Sequence, residues 1–335
     1  MAAEGGCGPL TAVVCLVIAI GTMSWFRAQE ARIPSDSRLD YFPHKGWFRE
    51  SVQWDAHHNR FLVSRMEGGI GQIAYTPGSP RPVQEKTLIP RSSSPPLSGL
   101  ATIGFKIDPG RNRIVAAMAD SLKNKYSAVV AYDTRTWEQI FHLKLAGPER
   151  VSLADDVAID EEGNIYVTDA IGGLIWKVTS DGSSFEVMTA KGAFSVHSKS
   201  RLLGFWSVNG IVYHPGAFLL VAHTGGGCIF KVSLDGQDVR RVDLEGFLLG
   251  DGIALVSPTQ LAVAGLWTGI RLVESSDLWL SANVTHVYAC PRYRLATSVT
   301  VKDKDVFANY LFGQGIPYFS TIGRAAFTPV ALFSS

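Results

Sequence analysis

Residues 155–182 read DDVAIDEEGNIYVTDAIGGLIWKVTSDG, and residues 209–236 read NGIVYHPGAFLLVAHTGGGCIFKVSLDG. The two stretches align without a gap at an offset of 54 residues, with Val167 on Val221 and the double glycine of AIGG on that of TGGG. Each copy holds short runs of β-branched and aromatic residues separated by turn-forming Asp, Asn and Gly, which is typical of consecutive antiparallel strands. The chain therefore contains an internal repeat of a strand–turn–strand unit.

Four further copies extend this repeat over the body of the chain. DGIALVSPTQLAVAGLWTG, from Asp251, aligns at a further offset of 42 residues, and weaker copies start at Glu50, Ile103 and Thr297. Units of about 40–50 residues that each carry several short strands are typical of propeller blades, which stack around an axis to cover their faces. The repeat predicts an all-β, six-bladed β-propeller, with two separate sandwiches or an open stack of sheets as the alternative. The equivalent first-strand positions are Trp54, Ile107, Ile159, Tyr213, Leu255 and Val301.

The last apolar stretch, residues 325–332 (AAFTPVAL), is expected to supply a closing strand near the N-terminal end of the propeller.

The composition agrees with a globular β-protein. Of 335 residues, 46% are hydrophobic and 33 are glycine, which suits many turns between short strands. The formal net charge is +1 with no basic cluster, so no electrostatic footprint for nucleic-acid binding exists.

The N-terminus carries an uncharged run, residues 10–26 (LTAVVCLVIAIGTMSWF), whose length lies between that of a signal peptide core and a membrane-spanning helix. The predicted organisation is a signal peptide or membrane anchor at residues 1–28, a linker at 29–38 and the propeller at 39–335. Arg27 and Arg32 after the run would place the bulk of the chain in the cytosol, whereas the sequon at Asn283 favours the lumen. We expect a secretory-pathway protein that is extracellular, lumenal or membrane-anchored.

The folded body contains two cysteines, Cys228 and Cys290. They are compatible with one disulfide or with two free thiols, and the spacing fits no zinc motif.

One position of the repeat carries oxygen donors in four of the six units. In a propeller the innermost strand of each blade lines the central channel, so a position four residues before each aligned first-strand position forms a ring. Oxygen donors without Cys or clustered His favour calcium or another hard divalent cation, although Asp and Asn at strand starts also cap turns. The ring consists of Glu50, Ile103, Asp155, Asn209, Asp251 and Thr297, and its predicted metal ligands are Glu50, Asp155, Asn209 and Asp251.

Asp156 follows Asp155 where other units have Gly or Ser, and is expected to serve the turn or to support the ligands.

The segments ESVQWD, DDVAID, NGIVYH and DGIAL resemble those of the senescence-marker-protein/gluconolactonase family, the calcium-dependent phosphotriesterase superfamily, to which paraoxonases and strictosidine-synthase-like propellers are related. The resemblance implies that Glu50, Asp155, Asn209 and Asp251 bind a catalytic divalent metal and that Asp251 acts as general base. Asp155 stands where the family usually has Asn.

Other departures from the family concern the substrate. Leu153 stands where the sugar-lactone enzymes place an arginine, and GLATIGFKID in the second unit lacks the histidine that paraoxonases use there. No late glutamate matches that of strictosidine synthase. His223, which aligns with Asp169, is a candidate acid or base beside the channel. His57 and His58 are expected in a solvated turn, TGGGC in a tight turn between strands, and the tryptophans Trp54, Trp176 and Trp206 between blades.

These features favour a metal-dependent hydrolase of small-molecule lactones or organic esters, acting at the axial channel. The alternative is a non-catalytic, calcium-stabilised propeller that binds a protein partner. A synthase of the strictosidine type is the third hypothesis. Membrane association through residues 10–26 is expected for the anchored form.

Overall fold

The structure is a computed structural model that describes residues 21, 24, 38–44, 46, 48–76, 82–189, 192–196, 205–290, 294–311, 320–326 and 328–330. Gly21 and Ser24 are helical. From residue 38 onward, the regular elements of the described residues are strands, apart from a 3-10 turn at Pro109–Arg111. The strands are β1 (Arg38–Phe42), β2 (Val52–Asp55), β3 (Arg60–Ser64), β4 (Ile70–Ala74), β5 (Val83–Gln84), β6 (Lys86–Ile89), β7 (Ala101–Asp108), β8 (Arg113–Ala119), β9 (Ser127–Asp133), β10 (Gln139–Ala146), β11 (Ala154–Ile159), β12 (Ile165–Asp169), β13 (Leu174–Val178), β14 (Phe185–Val187), β15 (Val208–His214), β16 (Phe218–His223), β17 (Cys228–Ser233), β18 (Val239–Arg241), β19 (Asp243–Leu244), β20 (Gly250–Ser257), β21 (Gln260–Gly265), β22 (Gly269–Glu274), β23 (Ser281–Tyr288), β24 (Ala296–Lys302), β25 (Asp305–Tyr310), β26 (Ser320–Arg324) and β27 (Thr328–Pro329).

The strands form six sheets, which are the blades of a propeller. Blade 1 is β2-β3-β4-β6, blades 2, 3 and 4 are β7–β10, β11–β14 and β15–β18, blade 5 is β20–β23, and blade 6 is β24-β25-β26-β1. The first strands of neighbouring blades contact one another, so β2, β7, β11, β15, β20 and β24 surround the axis. Each contains the first-strand position predicted from the repeat, which confirms the six-bladed, all-β prediction.

The N-terminal strand closes the ring. β1 pairs antiparallel with β26, with Leu39 opposite Ile322, so the start of the propeller supplies the fourth strand of its last blade. The expectation for residues 325–332 was wrong, because Thr328–Pro329 pairs with β23 in blade 5 and not with the N-terminal end. The physical reason is that β1 already covers the open edge of β26 and that the outer edge of β23 accepts the final residues.

The hydrophobic core lies between the blades. One buried cluster joins Val129 and Ala131 of blade 2 to Val167 and Trp176 of blade 3, and equivalent clusters join each of the other neighbouring pairs. Trp176 is fully buried there, as its predicted place between blades requires. Each such side chain contributes about 1.5–3 kcal/mol by leaving water, and blade packing therefore holds the six inner strands around the axis.

The predicted targeting segment, residues 10–26, lies outside the described residues except for Gly21 and Ser24. In the part of the chain that the structure describes, no helix has the length and apolar character needed to cross a membrane. Cys228 and Cys290 are both free thiols. Asn283 is exposed on β23.

Candidate functional site

The inner strands all start on one face of the propeller, here named the entrance face, and end on the opposite exit face. Near the entrance they enclose an axial cavity of about 10 Å³, which is room for one water-sized sphere. Glu50, Asp155 and Asn209 line it. Asp251 lies beside it, since its carboxylate accepts a hydrogen bond from Asn209 and its charge acts on Glu50 and Asp155. The structure thus brings the four predicted residues together.

The remaining two ring positions carry no donor toward the cavity. Ile103 belongs to a buried apolar cluster with Leu153. Thr297 donates its hydroxyl to the backbone carbonyl of Glu50 at 2.6 Å. This hydrogen bond ties blade 6 to blade 1 beside a predicted ligand.

A repeated irregularity of the inner strands directs these side chains. The pairing of the inner with the second strand shifts register between Ala154 and Val157, between Val208 and Ile211, and between Gly250 and Ile253. Asp155, Asn209 and Asp251 therefore each lie within a β-bulge. Such a bulge breaks the alternation of side chains and redirects them, which explains why consecutive polar residues occupy a buried strand.

Glycine follows the ring residue in three blades because the inner strands approach closely. A Cβ on Gly104 would lie 2.4 Å from the carbonyl oxygen of Asp155, and one on Gly210 would lie 2.3 Å from that of Asp251. Gly252 meets the carbonyl of Thr297 in the same way, at 2.7 Å. These distances exclude any side chain, so the narrow channel that gathers the carboxylates depends on glycine.

Blades 3 and 6 use a side chain instead of glycine to join the next inner strand. Asp156 accepts a hydrogen bond from the backbone N–H of Ile211 at 3.1 Å, and Ser298 accepts one from Val52 at 2.9 Å. The second carboxylate oxygen of Asp156 accepts the N–H of Val157. Asp156 is therefore part of the blade-to-blade connection.

A buried ion-pair network holds the residue before Glu50. The guanidinium of Arg49 donates to Glu85 at 2.8 and 3.1 Å, and Arg65 donates to the other oxygen of Glu85 at 2.7 Å. Arg49 and Glu85 are each only 1% exposed. Since Glu85 follows β5, which pairs with β1, the network links ring closure to the start of blade 1.

The carboxyl groups of the site are held out of water and close to one another. Burial raises the pKa of Glu50 and of Asp155 well above the usual range, and the neighbouring charge of Asp251 raises both further. Burial and the charge of Asp156 raise the pKa of Asp251 to about 8, although the hydrogen bond from Asn209 opposes this. Such groups hold protons at neutral pH or require a cation.

His223 has a structural role in the turn after β16. Its Nδ1 accepts the N–H of Gly226 at 2.9 Å, and its Nε2 lies 3.2 Å from the Ser207 hydroxyl. Asp169, at the equivalent position, accepts the N–H of Gly172 at 2.7 Å. The histidine thus does the turn-capping work of the aspartate, and burial lowers its pKa.

The other predicted turn residues lie where expected. His57 and His58 are exposed in the turn between β2 and β3, where His58 contacts Asp55 at 2.8 Å. Gly173 and Gly227 adopt positive φ in tight turns between second and third strands, which accounts for TGGGC. Leu153 is 5% exposed in the core, so no cation replaces the arginine of the sugar-lactone enzymes at this position.

Lys106 is a residue of the site that the ring position did not identify. It lies on β7 and lines the same cavity as Glu50 and Asp155. The repeat alignment could have identified Lys106. Three residues after each ring position stand Gln53, Lys106, Ala158, Val212, Ala254 and Thr300, and only the second of these is charged.

As they are placed, the described residues include no group of three or more His, Cys, Asp or Glu side chains that could hold a metal ion. The donor set nevertheless fits a hard cation by its chemistry. The carboxyl groups of Glu50 and Asp155 and the amide of Asn209 line one small cavity. The carboxyl group of Asp251 lies beside it, and the repulsion among the three carboxyl groups is of the kind that a divalent cation removes. Binding would require the carboxylates to close on the ion.

No family model matches the chain, and no curated protein matches it in sequence. Similar solved structures include a gluconolactonase of Xanthomonas campestris, with a TM-score of 0.56 and 14% identity over 87% of this chain and 97% of that chain. A streptogramin B lyase (TM-score 0.54, 12% identity, 88% and 97% covered) and a chain of a nidogen/laminin complex (0.54, 14%, 74% and 84%) are also similar. At these identities the likeness shows the fold alone. The chain is a six-bladed β-propeller, an architecture that it shares with a gluconolactonase.

Proposed function

We propose that this protein is a calcium-dependent, or other divalent-metal-dependent, hydrolase of lactones or organic esters that acts at the axial channel. The observation that carries the proposal is that Glu50, Asp155 and Asn209, from three blades, line one axial cavity and that Asp251, from a fourth blade, contacts Asn209 beside it. The similarity of the fold to a gluconolactonase is consistent with this activity.

The four residues have two roles in the proposed mechanism, binding of the cation and acceptance of a proton. Glu50, Asp155 and Asn209 bind the cation, and their backbones are held by neighbouring blades, as in the hydrogen bond from Thr168 to the Asn209 carbonyl at 2.6 Å. When bound, the cation supplies Lewis-acid polarisation of the substrate carbonyl. Asp251 is a ligand as well and accepts a proton from the attacking water, while the Asn209 amide orients its carboxylate.

The test combines metal binding with turnover in the full-length chain. Calcium binding is measured by isothermal titration calorimetry after chelator treatment, and hydrolysis is measured on a panel of lactones and aryl esters. We expect one bound ion per chain and a loss of hydrolysis of at least about a hundredfold in Asp251→Asn, the size typical of a lost general base. Asp238→Asn, on the exposed turn before β18, is the matched control. Full activity in Asp251→Asn would refute the mechanism.

A second function, calcium-stabilised binding of a protein partner, is favoured by the surface around the entrance. Connections on that face expose five large apolar side chains, and a partner that covers them together would remove them from water. Leu153 supplies no charged group for a polar substrate. If this function is correct, calcium raises the melting temperature and no member of the substrate panel is hydrolysed. The apolar side chains are Phe48, Leu122, Val151, Phe205 and Trp267.

We propose further that residues 10–26 direct the chain to the secretory pathway, as a cleaved signal or as a membrane anchor. β1 starts on the exit face, so this segment joins the propeller on the side opposite the entrance. Synthesis in the presence of microsomes tests the proposal. Lumenal delivery predicts a mass increase that Asn283→Gln abolishes, because the exposed sequon is then glycosylated. A full-length, unmodified and protease-sensitive product that alkaline carbonate extracts from the microsomes would contradict it, because an anchored chain would stay with the membrane.

A further inference from the structure

Two charged side chains of the channel have no part in the proposed mechanism. Asp156 is only 9% exposed, and Lys106 is partly buried. Both line the axial cavity together with Glu50, Asp155 and Asn209. Lys106 also lines a vestibule of about 350 Å³ toward the exit face, whose other walls are mainly apolar. Lys106 therefore lies between the vestibule and the axial cavity that Glu50 and Asp155 line.

The backbone geometry brings β7, the strand that carries Lys106, against Asp156. A Cβ on Gly104 would lie 2.6 Å from Oδ1 of Asp156, so β7 passes directly against this carboxylate. Lys106 follows Gly104 by two residues on the same strand.

The charges of the channel show why a fixed cation is useful. Glu50, Asp155, Asp156 and Asp251 carry four negative charges when ionised, which is two more than one divalent cation neutralises. Asp156 already accepts two backbone N–H groups. A buried carboxylate is costly unless an opposite charge accompanies its hydrogen bonds. Lys106 is the one charged side chain among the six positions that lie three residues after the ring positions.

We propose that Lys106 is a tethered cation of the axial channel, which neutralises Asp156 and leaves Glu50, Asp155 and Asp251 to bind a single diffusible divalent cation. The second half of this inference rests on the proposed function, whereas the pairing of Lys106 with Asp156 does not. In the metal-bound protein the ammonium group also repels the ion, and Lys106 therefore weakens its binding and limits the channel to one ion.

A double-mutant cycle in chelator-treated, full-length protein tests the pairing. Lys106→Met leaves Asp156 buried without its counter-charge, and we expect the melting temperature to fall by roughly 5 °C. In the Asp156→Asn background the same substitution should have less than half this effect. Gln53→Met, at the equivalent position of blade 1, is the matched control and should lack the coupling. Lys106→Arg keeps the charge and should stay near the wild type. Equal shifts in both backgrounds would overturn the pairing.

Calcium titration of the same variants tests the second half. Lys106→Met should bind calcium on the order of tenfold more tightly than the wild type, because a repelling charge is removed, and Gln53→Met should bind as the wild type does. An unchanged dissociation constant in Lys106→Met would overturn this part. If the wild type binds no calcium but the coupling to Asp156 is intact, the proposed function fails and the pairing stands.

Discussion

The pH dependence of folding offers a direct test of the carboxylate cluster. In the metal-free protein, raising the pH from about 6.5 to about 8.5 should lower the free energy of unfolding. The reason is that the pKa of Asp251 is raised to about 8, and those of Glu50 and Asp155 are also raised. In this range the folded chain binds more protons than the unfolded chain, in which these carboxyl groups are ionised. The contribution of these protonated carboxyl groups to the free energy of unfolding is thus fully present below about pH 4. It is lost as the pH rises through their pKa values in the folded chain.

The expected magnitude follows from linkage. Each additional proton held by the folded state contributes a slope of about −1.4 kcal/mol per pH unit. Asp251 alone should therefore cost about 2 kcal/mol between about pH 6.5 and its raised pKa, and Glu50 and Asp155 add to the loss. For a chain of 335 residues, the loss from Asp251 alone corresponds to a fall in melting temperature of roughly 3 °C. His223, whose pKa is lowered by burial, acts below this range.

The measurement is a series of urea or thermal unfolding curves with chelator present. Asp251→Asn should make the slope of the free energy of unfolding against pH shallower by the contribution of about one proton, which is about 1.4 kcal/mol per pH unit. Asp238→Asn, an exposed substitution with the same change in charge, should leave the slope as in the wild type. Saturating calcium should abolish the fall, because a bound cation favours ionised ligands. A flat profile in the metal-free wild type, or an unchanged slope in Asp251→Asn, would refute the electrostatic reasoning.

Three further predictions concern the residues that hold the site in place. Gly104→Ala should lower the free energy of unfolding by about 2 kcal/mol or more, since its Cβ meets backbone atoms 2.4 and 2.6 Å away, whereas Gly110→Ala, with its nearest atom at 3.7 Å, should change it little in the same denaturation assay. Glu85→Gln should cost about 3–5 kcal/mol because it removes the buried carboxylate that both Arg49 and Arg65 contact, and Glu67→Gln, which removes the more exposed partner of Arg49, should cost clearly less in the same curves. His223→Ala should destabilise by about 1–2 kcal/mol and His223→Asn by less, with hydrolysis unchanged in both; a selective loss of turnover would restore His223 as an acid or base.

The repeat predicted the blades because each blade is a local structure. Strand alternation, turn residues and the positive-φ glycines Gly173 and Gly227 are properties of neighbouring residues, so they recur whenever the unit recurs. The same alignment placed Glu50, Asp155, Asn209 and Asp251 at one level of the channel, because equivalent residues of stacked blades occupy equivalent positions around an axis.

The tertiary structure decided what happens across the axis and between blades. Thr297 contacts the carbonyl of Glu50 across 247 residues of sequence, and β1 completes the last blade by pairing with β26. No local pattern encodes such contacts. The requirement for Gly104 likewise depends on how closely two inner strands approach, and the axial cavity that Lys106 shares with Asp156 depends on how the blades pack. The repeated unit and its oxygen donors can be read from the sequence. Which charges meet depends on how the blades pack, because electrostatic and steric effects depend on distance in space rather than along the chain.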